Sequence, residues 1–195
     1  MDMINDMDML HSQQLYNPTN DLIMAKQHES LELLEKFNAL SVKDKKQRKD
    51  LMKQMFKSVG EGSHVEPPLR ANWGGRFLSL GKNVYINFNL SLVDDTYISI
   101  GDGTLIGPNV TIATAIHPED PKIRKTGYQY NLPVTIGKNV WVGSGAIILP
   151  GVKIGDDSIV GAGSVVTKDI PNGVVAVGNP CRVLRQVRKD EADSK

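Results

Sequence analysis

Few side chains in this 195-residue chain stand where they could carry out proton transfer or covalent chemistry; there are four histidines and one cysteine. His117 closes the segment TAIH and opens a polar, proline-bounded stretch, PEDPKIRKTGYQYNLP, at 118–133. An imidazole, with a reference pKa of about 6.5, can take a proton from a hydroxyl near neutral pH, so His117 is the candidate general base. His11, His28 and His64 have no such setting and read as solvated surface residues. Cys181 lies in GNPCRV, far in sequence from His117. A covalent route through its thiol needs a base beside it, and a lone cysteine reads more simply as a small buried hydrophobe. A zinc centre needs several histidines converging, and only His117 lies in the ordered repeat described next, so no metal is expected. The run KDKKQRK at 43–49 alternates with Asp44 and Asp50 and reads as a solvated helix face, not a phosphate site.

The element that must position His117 is a six-residue repeat. In register the chain reads IGDGTL (100–105), IGPNVT and IATAIH, breaks at the polar stretch, and resumes as IGKNVW (136–141), VGSGAI, ILPGVK, IGDDSI and VGAGSV, ending at 165. The first position is always Ile or Val, usually followed by Gly. The fifth is small or β-branched: Thr104, Val110, Val140, Ala146, Val152, Ser158, Ser164. An apolar residue every six positions fits neither a helix nor an isolated strand. It fits a solenoid in which three hexads return the chain to its starting face and stack Ile/Val inside a triangular prism, with Gly supplying corner conformations that a Cβ would hinder. LGKNVY (80–85) and LVDDTY (92–97) follow the pattern loosely, so the front coils are expected to be irregular. The 118–133 stretch must leave the prism as a loop, and long loops in compact repeats usually carry function.

Ahead of the repeat, residues 19–58 read as two amphipathic helices. Leu22, Ile23, Leu31, Leu34 and Phe37 recur at helical spacing behind a Thr19/Asn20 cap. The second helix opens on Ser41 and Asp44 in a capping-box arrangement and presents Leu51, Met52, Met55 and Phe56. The expected organisation is a helical module at 1–60, a left-handed parallel β-helix at 61–187 with an extruded loop at 118–133, and a polar tail at 188–195.

With 23 basic and 22 acidic side chains the formal charge is +1, so no overall field marks nucleic acid or a membrane as a partner. A single cysteine suits a reducing compartment, and neither a signal peptide nor a spanning segment is legible, so a cytoplasmic location is expected.

The motifs YINFN (85–89), VDD (93–95), IGPNVTI (106–112), TAIHPED (114–120), LPVTIGKNVWVG (132–143), GAGSVVTKDIP (161–171) and GNPCRV (178–183) resemble the galactoside and maltose O-acetyltransferases, a branch of the hexapeptide-repeat acyltransferases. The resemblance spans about 14–187. It implies that His117 deprotonates an acceptor hydroxyl, which attacks the thioester of acetyl-CoA, the cosubstrate, directly in a ternary complex. It implies that Asn72, Tyr85, Asn87 and Asp95 contact a sugar acceptor. On the coenzyme side it implies Trp141 and Ser144 along the pantetheine, and Ala162, Thr167, Lys168, Arg182 and Arg185 along the remainder, where cations can pair with phosphates. Family members are homotrimers with active sites between subunits. The sequence departs from the pattern in RANWGGRFLSLG (70–81), with Trp73 in place of a tyrosine, and in Tyr128 and Gln129 of the loop; these positions would shape the acceptor pocket. An acetyltransferase for another acceptor, such as an antibiotic or amino sugar, and a non-catalytic solenoid binding module are the alternative readings.

Overall fold

The computed structural model describes residues 6–41 and 43–188. The tail expected at 188–195 lies outside the described residues except for Arg188. The repeat folds as a left-handed parallel β-helix of about six turns. Three sheets form its walls. The first contains Ser58–Val59, Leu78–Leu80, Ile98–Ile100, Val134–Ile136 and Lys153–Ile154. The second runs from His64–Val65 through Tyr85–Ile86, Leu105–Ile106, Trp141–Val142 and Ile159–Val160 to Val174–Val177, and ends on the antiparallel strand Arg182–Gln186. The third contains Arg70–Ala71, Ser91–Val93, Thr111–Ala113, Ile147–Ile148 and Val165–Val166.

The hexad columns are the core. Ile100, Ile106, Ile112, Ile136, Val142, Ile148, Ile154, Val160 and Val166 are all buried in one cluster with the fifth-position residues Val110, Val140, Ala146 and Val152, and the fifth-position Thr104, Ser158 and Ser164 are buried as well. The buried hydroxyls are satisfied: Thr104 Oγ1 donates to Gly137 O at 2.8 Å and accepts from Val140 N at 3.0 Å. The glycines at the second position have a different reason from the expected one. A Cβ on Gly107 would lie 2.8 Å from Ser144 N, and one on Gly101 would lie 2.6 Å from the Gly137 carbonyl carbon, so close coil stacking excludes it. The left-handed corner conformations fall elsewhere, at residues such as Asn109 (φ 58°), Asn139 (φ 52°) and Gly145 (φ 68°).

Coil length changes along the prism. Trp141 pairs with Ile159, 18 residues on, whereas Tyr85 pairs with Leu105, 20 on, and His64 with Tyr85, 21 on. The extra residues sit at the corner between the third and first sheets. There the core residues Ile148 and Ile154 are six apart, but Leu92 and Ile100 are eight apart and Ala71 and Leu80 nine. The 118–133 loop leaves from the same corner of the intervening coil.

Helix α1 (Asp6–Met9) was not expected from the sequence. Helix α2 (Asp21–Ala39) starts where the cap signal places it, with Asn20 Oδ1 accepting from Leu22 N at 2.9 Å and from Ile23 N at 3.4 Å. Ile23, Leu34 and Phe37 are buried, but Leu22, in the first turn, is 46% exposed. Helix α3 (Lys45–Met55) begins later than Ser41. Half of the capping box forms, the Asp44 carboxylate accepting from Ser41 N at 3.1 Å, while Asp44 itself makes no side-chain cap bond to the helix. The lysines of the basic run are exposed, but Arg48 is only 5% exposed; its guanidinium donates to Leu40 O at 3.2 Å and lies 3.7 Å from Glu66. Leu34, Phe37, Met52, Met55 and Phe56 pack into the same core as the front coils, so the helices cover the open end of the prism. No helix among the described residues is long and apolar enough to cross a membrane.

Candidate active site

The widened corner holds the polar residues. Asp94 and Asp95 stand in the added residues of one coil and Asn72 in those of the coil before. Asn72 Nδ2 donates to both Asp95 oxygens, at 3.2 and 3.0 Å. Asn72 in turn is held by Gln27 of α2, whose Nε2 donates to its backbone oxygen at 3.0 Å and to Oδ1 at 3.1 Å. Asp94 is wholly buried and accepts from Trp73 N at 2.7 Å and Gly75 N at 2.9 Å, pinning the loop that presents Asn72. Burial pushes its carboxyl up to about 7, against the pull of the Trp73 N–H and with a further push from Asp95.

One coil further on, the chain leaves the third sheet through Ala115–Ile116, reaches His117 and enters the loop. The loop is built, not loose: helix α4 (Pro121–Arg124) is capped by Asp120, and Tyr130–Asn131 returns antiparallel to Ala115–Ile116. His117 is exposed, with Nδ1 3.3 Å from the Tyr128 carbonyl oxygen. A carbonyl can only accept, so this bond requires the proton on Nδ1 and leaves Nε2 of the neutral ring as an acceptor. Gln129, next in the chain, donates to Asp95 Oδ1 at 3.0 Å. Asp95 and His117 are therefore tied to adjacent residues, Gln129 and Tyr128, just ahead of the returning strand.

The remaining expected site residues divide by position. Thr167 and Lys168 are exposed at this corner, past the last strand of the third sheet. Asn87, Ser144 and Ala162 stand at the corner between the second and third sheets. There successive coils are linked from Asn109 N to Phe88 O at 3.2 Å, from Gly145 N to Pro108 O at 2.9 Å and from Gly163 N to Ser144 O at 2.9 Å. Tyr85 and Trp141 lie on the outer face of the second sheet, in register through Leu105, and Trp141 is 54% exposed. The same register continues from Trp141 through Ile159 and Val175 to Arg185, with Arg182 on the same edge strand. In a single chain, the whole third sheet separates Asn87, Ser144 and Ala162 from His117.

Residues 133–168 match the family described as bacterial transferase hexapeptide (six repeats), and residues 10–60 match the maltose acetyltransferase hexapeptide capping motif. A galactoside O-acetyltransferase of Lactococcus lactis is 50% identical over 182 residues, 93% of this chain and 88% of that protein. This chain belongs to the hexapeptide-repeat O-acetyltransferases. Its fold agrees with solved relatives. A galactoside acetyltransferase in complex with coenzyme A superposes with a TM-score of 0.91 at 42% identity, covering 96% of this chain and 94% of that one. A maltose O-acetyltransferase from Clostridium difficile superposes with a TM-score of 0.92 at 39% identity, covering 95% and 98%.

Within this acetyltransferase His11 and His64 sit differently from a surface reading, whereas Cys181 is buried as expected. His11 is half-buried, bonded through Nδ1 to Thr96 Oγ1 at 2.8 Å and stacked on Tyr97 with ring centroids 4.2 Å apart. His64 stacks on Tyr85 and pairs with Glu66 at 3.0 Å. His28 is exposed as expected. Cys181 is buried in the core and burial pushes its thiol up, which works against a thiolate nucleophile. No group of three His, Cys, Asp or Glu side chains converges among the described residues. Sequence reasoning missed Asp94, Tyr16 and Asn131 at this corner. Tyr16 and Asn131 meet only in the fold, Asn131 Nδ2 donating to Tyr16 Oη at 3.0 Å across 115 residues, and no local pattern announces such a pair.

Proposed function

We propose that this acetyltransferase moves the acetyl group of acetyl-CoA to a hydroxyl of a galactoside- or maltose/glucose-type sugar, by direct transfer in a ternary complex. Coenzyme-A-dependent acetyl transfer follows from the family; the sugar, the mechanism and the residue roles are our reading. The observation that carries it is the stacking of Asn72, Asp95 and His117 at the one corner where the coils are enlarged. Nε2 of His117 accepts the proton of the acceptor hydroxyl as its oxygen attacks the thioester carbonyl. The tetrahedral intermediate collapses, the C–S bond breaks, and the proton on the imidazolium passes to the departing thiolate. A backbone amide near Ser144 would stabilise the oxyanion. Asp95 keeps lone pairs for a sugar hydroxyl beyond those used by Asn72 and Gln129. Trp141 packs against the pantetheine, and Lys168, Arg182 and Arg185 pair with the phosphates, beside Ala162 and Thr167.

Because His117 and the Asn87, Ser144 and Ala162 corner lie on opposite edges of the third sheet, we assign the complete site to two neighbouring prisms of a homotrimer, with Tyr85 and Asn87 facing the acceptor. The helical module 1–60, the β-helix 61–187 and the loop 118–133 form the working parts of each chain, in an enzyme we place in the cytoplasm. The test is initial-rate kinetics of coenzyme A release over a panel of galactosides, glucosides, maltose and amino sugars. Acceptor-dependent turnover with intersecting double-reciprocal lines supports direct transfer to a sugar. Parallel lines would indicate a covalent acetyl-enzyme and contradict the ternary complex, and turnover confined to amino sugars would move the reading to a different acceptor.

A further inference from the structure

The loop carrying the Tyr128 carbonyl is fixed by a segment that precedes α2. Tyr16 and Gln129 exchange main-chain bonds, Tyr16 N to Gln129 O at 2.9 Å and Gln129 N to Tyr16 O at 3.2 Å. The Tyr16 phenol oxygen then accepts from Gln129 Nε2 at 2.6 Å and from Asn131 Nδ2 at 3.0 Å. Those amides also reach Asp95: Gln129 Nε2 donates to its Oδ1 at 3.0 Å and Asn131 Nδ2 to its backbone oxygen at 3.2 Å. Asn131 further donates to Leu10 O at 2.9 Å. Tyr16, Gln129, Asn131 and Asp95 are all buried, so each bond is shielded from water and losing the phenol oxygen throws both amides onto their remaining acceptors.

We propose that Tyr16, acting through Gln129 and Asn131, is a positioning residue for His117: it holds the Tyr128 carbonyl where it fixes the Nδ1–H tautomer and leaves Nε2 free to take a proton. The inference rests on the reading of His117 as the base. It has two links. Gln129 and Asn131 flank Tyr130, which pairs with Ile116, so the strand on either side of the pairing is clamped by one phenol oxygen. Tyr128 precedes Gln129 and His117 follows Ile116, so the hydrogen bond between them spans the open end of the same two-stranded ladder. A surface imidazole without this restraint would populate both tautomers, and only one has a free Nε2.

The experiment is two-bond ¹H–¹⁵N correlation of the histidine rings in the full chain, with His117 assigned by its loss in His117→Ala, alongside kcat and the KM for acetyl-CoA. In the wild type the neutral His117 ring is expected as the Nδ1–H tautomer. Tyr16→Phe is expected to raise the Nε2–H population and to lower kcat roughly 5–10-fold, with the KM for acetyl-CoA unchanged. Ile23→Ala is the control: Ile23 packs in the same small apolar cluster as Tyr16. It should lower the unfolding temperature while the wild-type tautomer and kcat persist. A Tyr16→Phe protein that keeps the wild-type tautomer, or an Ile23→Ala protein that shifts it equally, overturns the proposal. If the ring spectra behave as expected but the wild type transfers no acetyl group to any acceptor, the positioning stands and the function assigned to His117 falls.

Discussion

At the enlarged corner Asp94 is constrained electrostatically as well as sterically. With no exposed surface and two backbone N–H donors, it organises the turn that carries Asn72 and Trp73. Its carboxyl is raised to about 7, above the reference value of about 3.9 for an unfolded chain. A group of this kind holds its proton more tightly when folded, so its contribution to stability is complete below about pH 4 and is lost as pH climbs through 7. Thermal unfolding followed between pH 5 and pH 8 should therefore show the midpoint falling more steeply for the wild type than for Asp94→Asn, which cannot ionise. Equal slopes would mean that Asp94 is ionised throughout. At this scale His117 was legible because it breaks a regular pattern. Asp94 was not, since in sequence it is one of two adjacent acids and nothing distinguishes the member that pins the turn from the one we assign to the sugar. Arg48 shows the same limit, since charge alternation describes the exposed members of its run and not the one cation folded beneath them against Glu66.

At the scale of the element, the hexad states which residues point inward but not why its glycine is needed. Apart from Ile116, half-buried where the chain leaves for the loop, the first and fifth positions are buried, because a flat strand of two or three residues between corners leaves no other place for them. The glycine at the second position answers to the neighbouring coil, a relation that only the three-dimensional stack makes visible. Gly107→Ala should accordingly destabilise the protein by about 1–3 kcal/mol, because its Cβ would press on the backbone at Ser144, and denaturant unfolding measures the loss. A change within 0.3 kcal/mol, roughly the error expected between independent sites, would show that the coils separate freely. The loop at 118–133 was legible as an interruption, and its short helix rests on the local Asp120 cap, yet its return strand and its attachment to Tyr16 follow from pairings with distant residues.

For the whole molecule, the layout of exposed residues has a consequence that a single chain cannot express. His117 and the Asn87, Ser144 and Ala162 corner face different sides of one prism, so a chain defective at one and a chain defective at the other should complement each other. Co-refolding His117→Ala with Asn87→Ala in equal amounts should recover about a quarter of wild-type activity if each site draws on two chains, because random assembly leaves that fraction of sites intact. Activity no higher than that of either variant alone would place each site within one chain. The fold itself was readable because a repeat states its period many times over, whereas assembly leaves its trace only in which outward faces are apolar, such as the row Tyr85, Leu105 and Trp141. The measurement closest to the central claim is acceptor-dependent release of coenzyme A by His117→Ala, made together with the affinity of the variant for acetyl-CoA. We expect kcat to fall by ~10² to 10⁴ while acetyl-CoA binds as tightly as to the wild type. Turnover within a few-fold of wild type would contradict the assignment of His117 as the base.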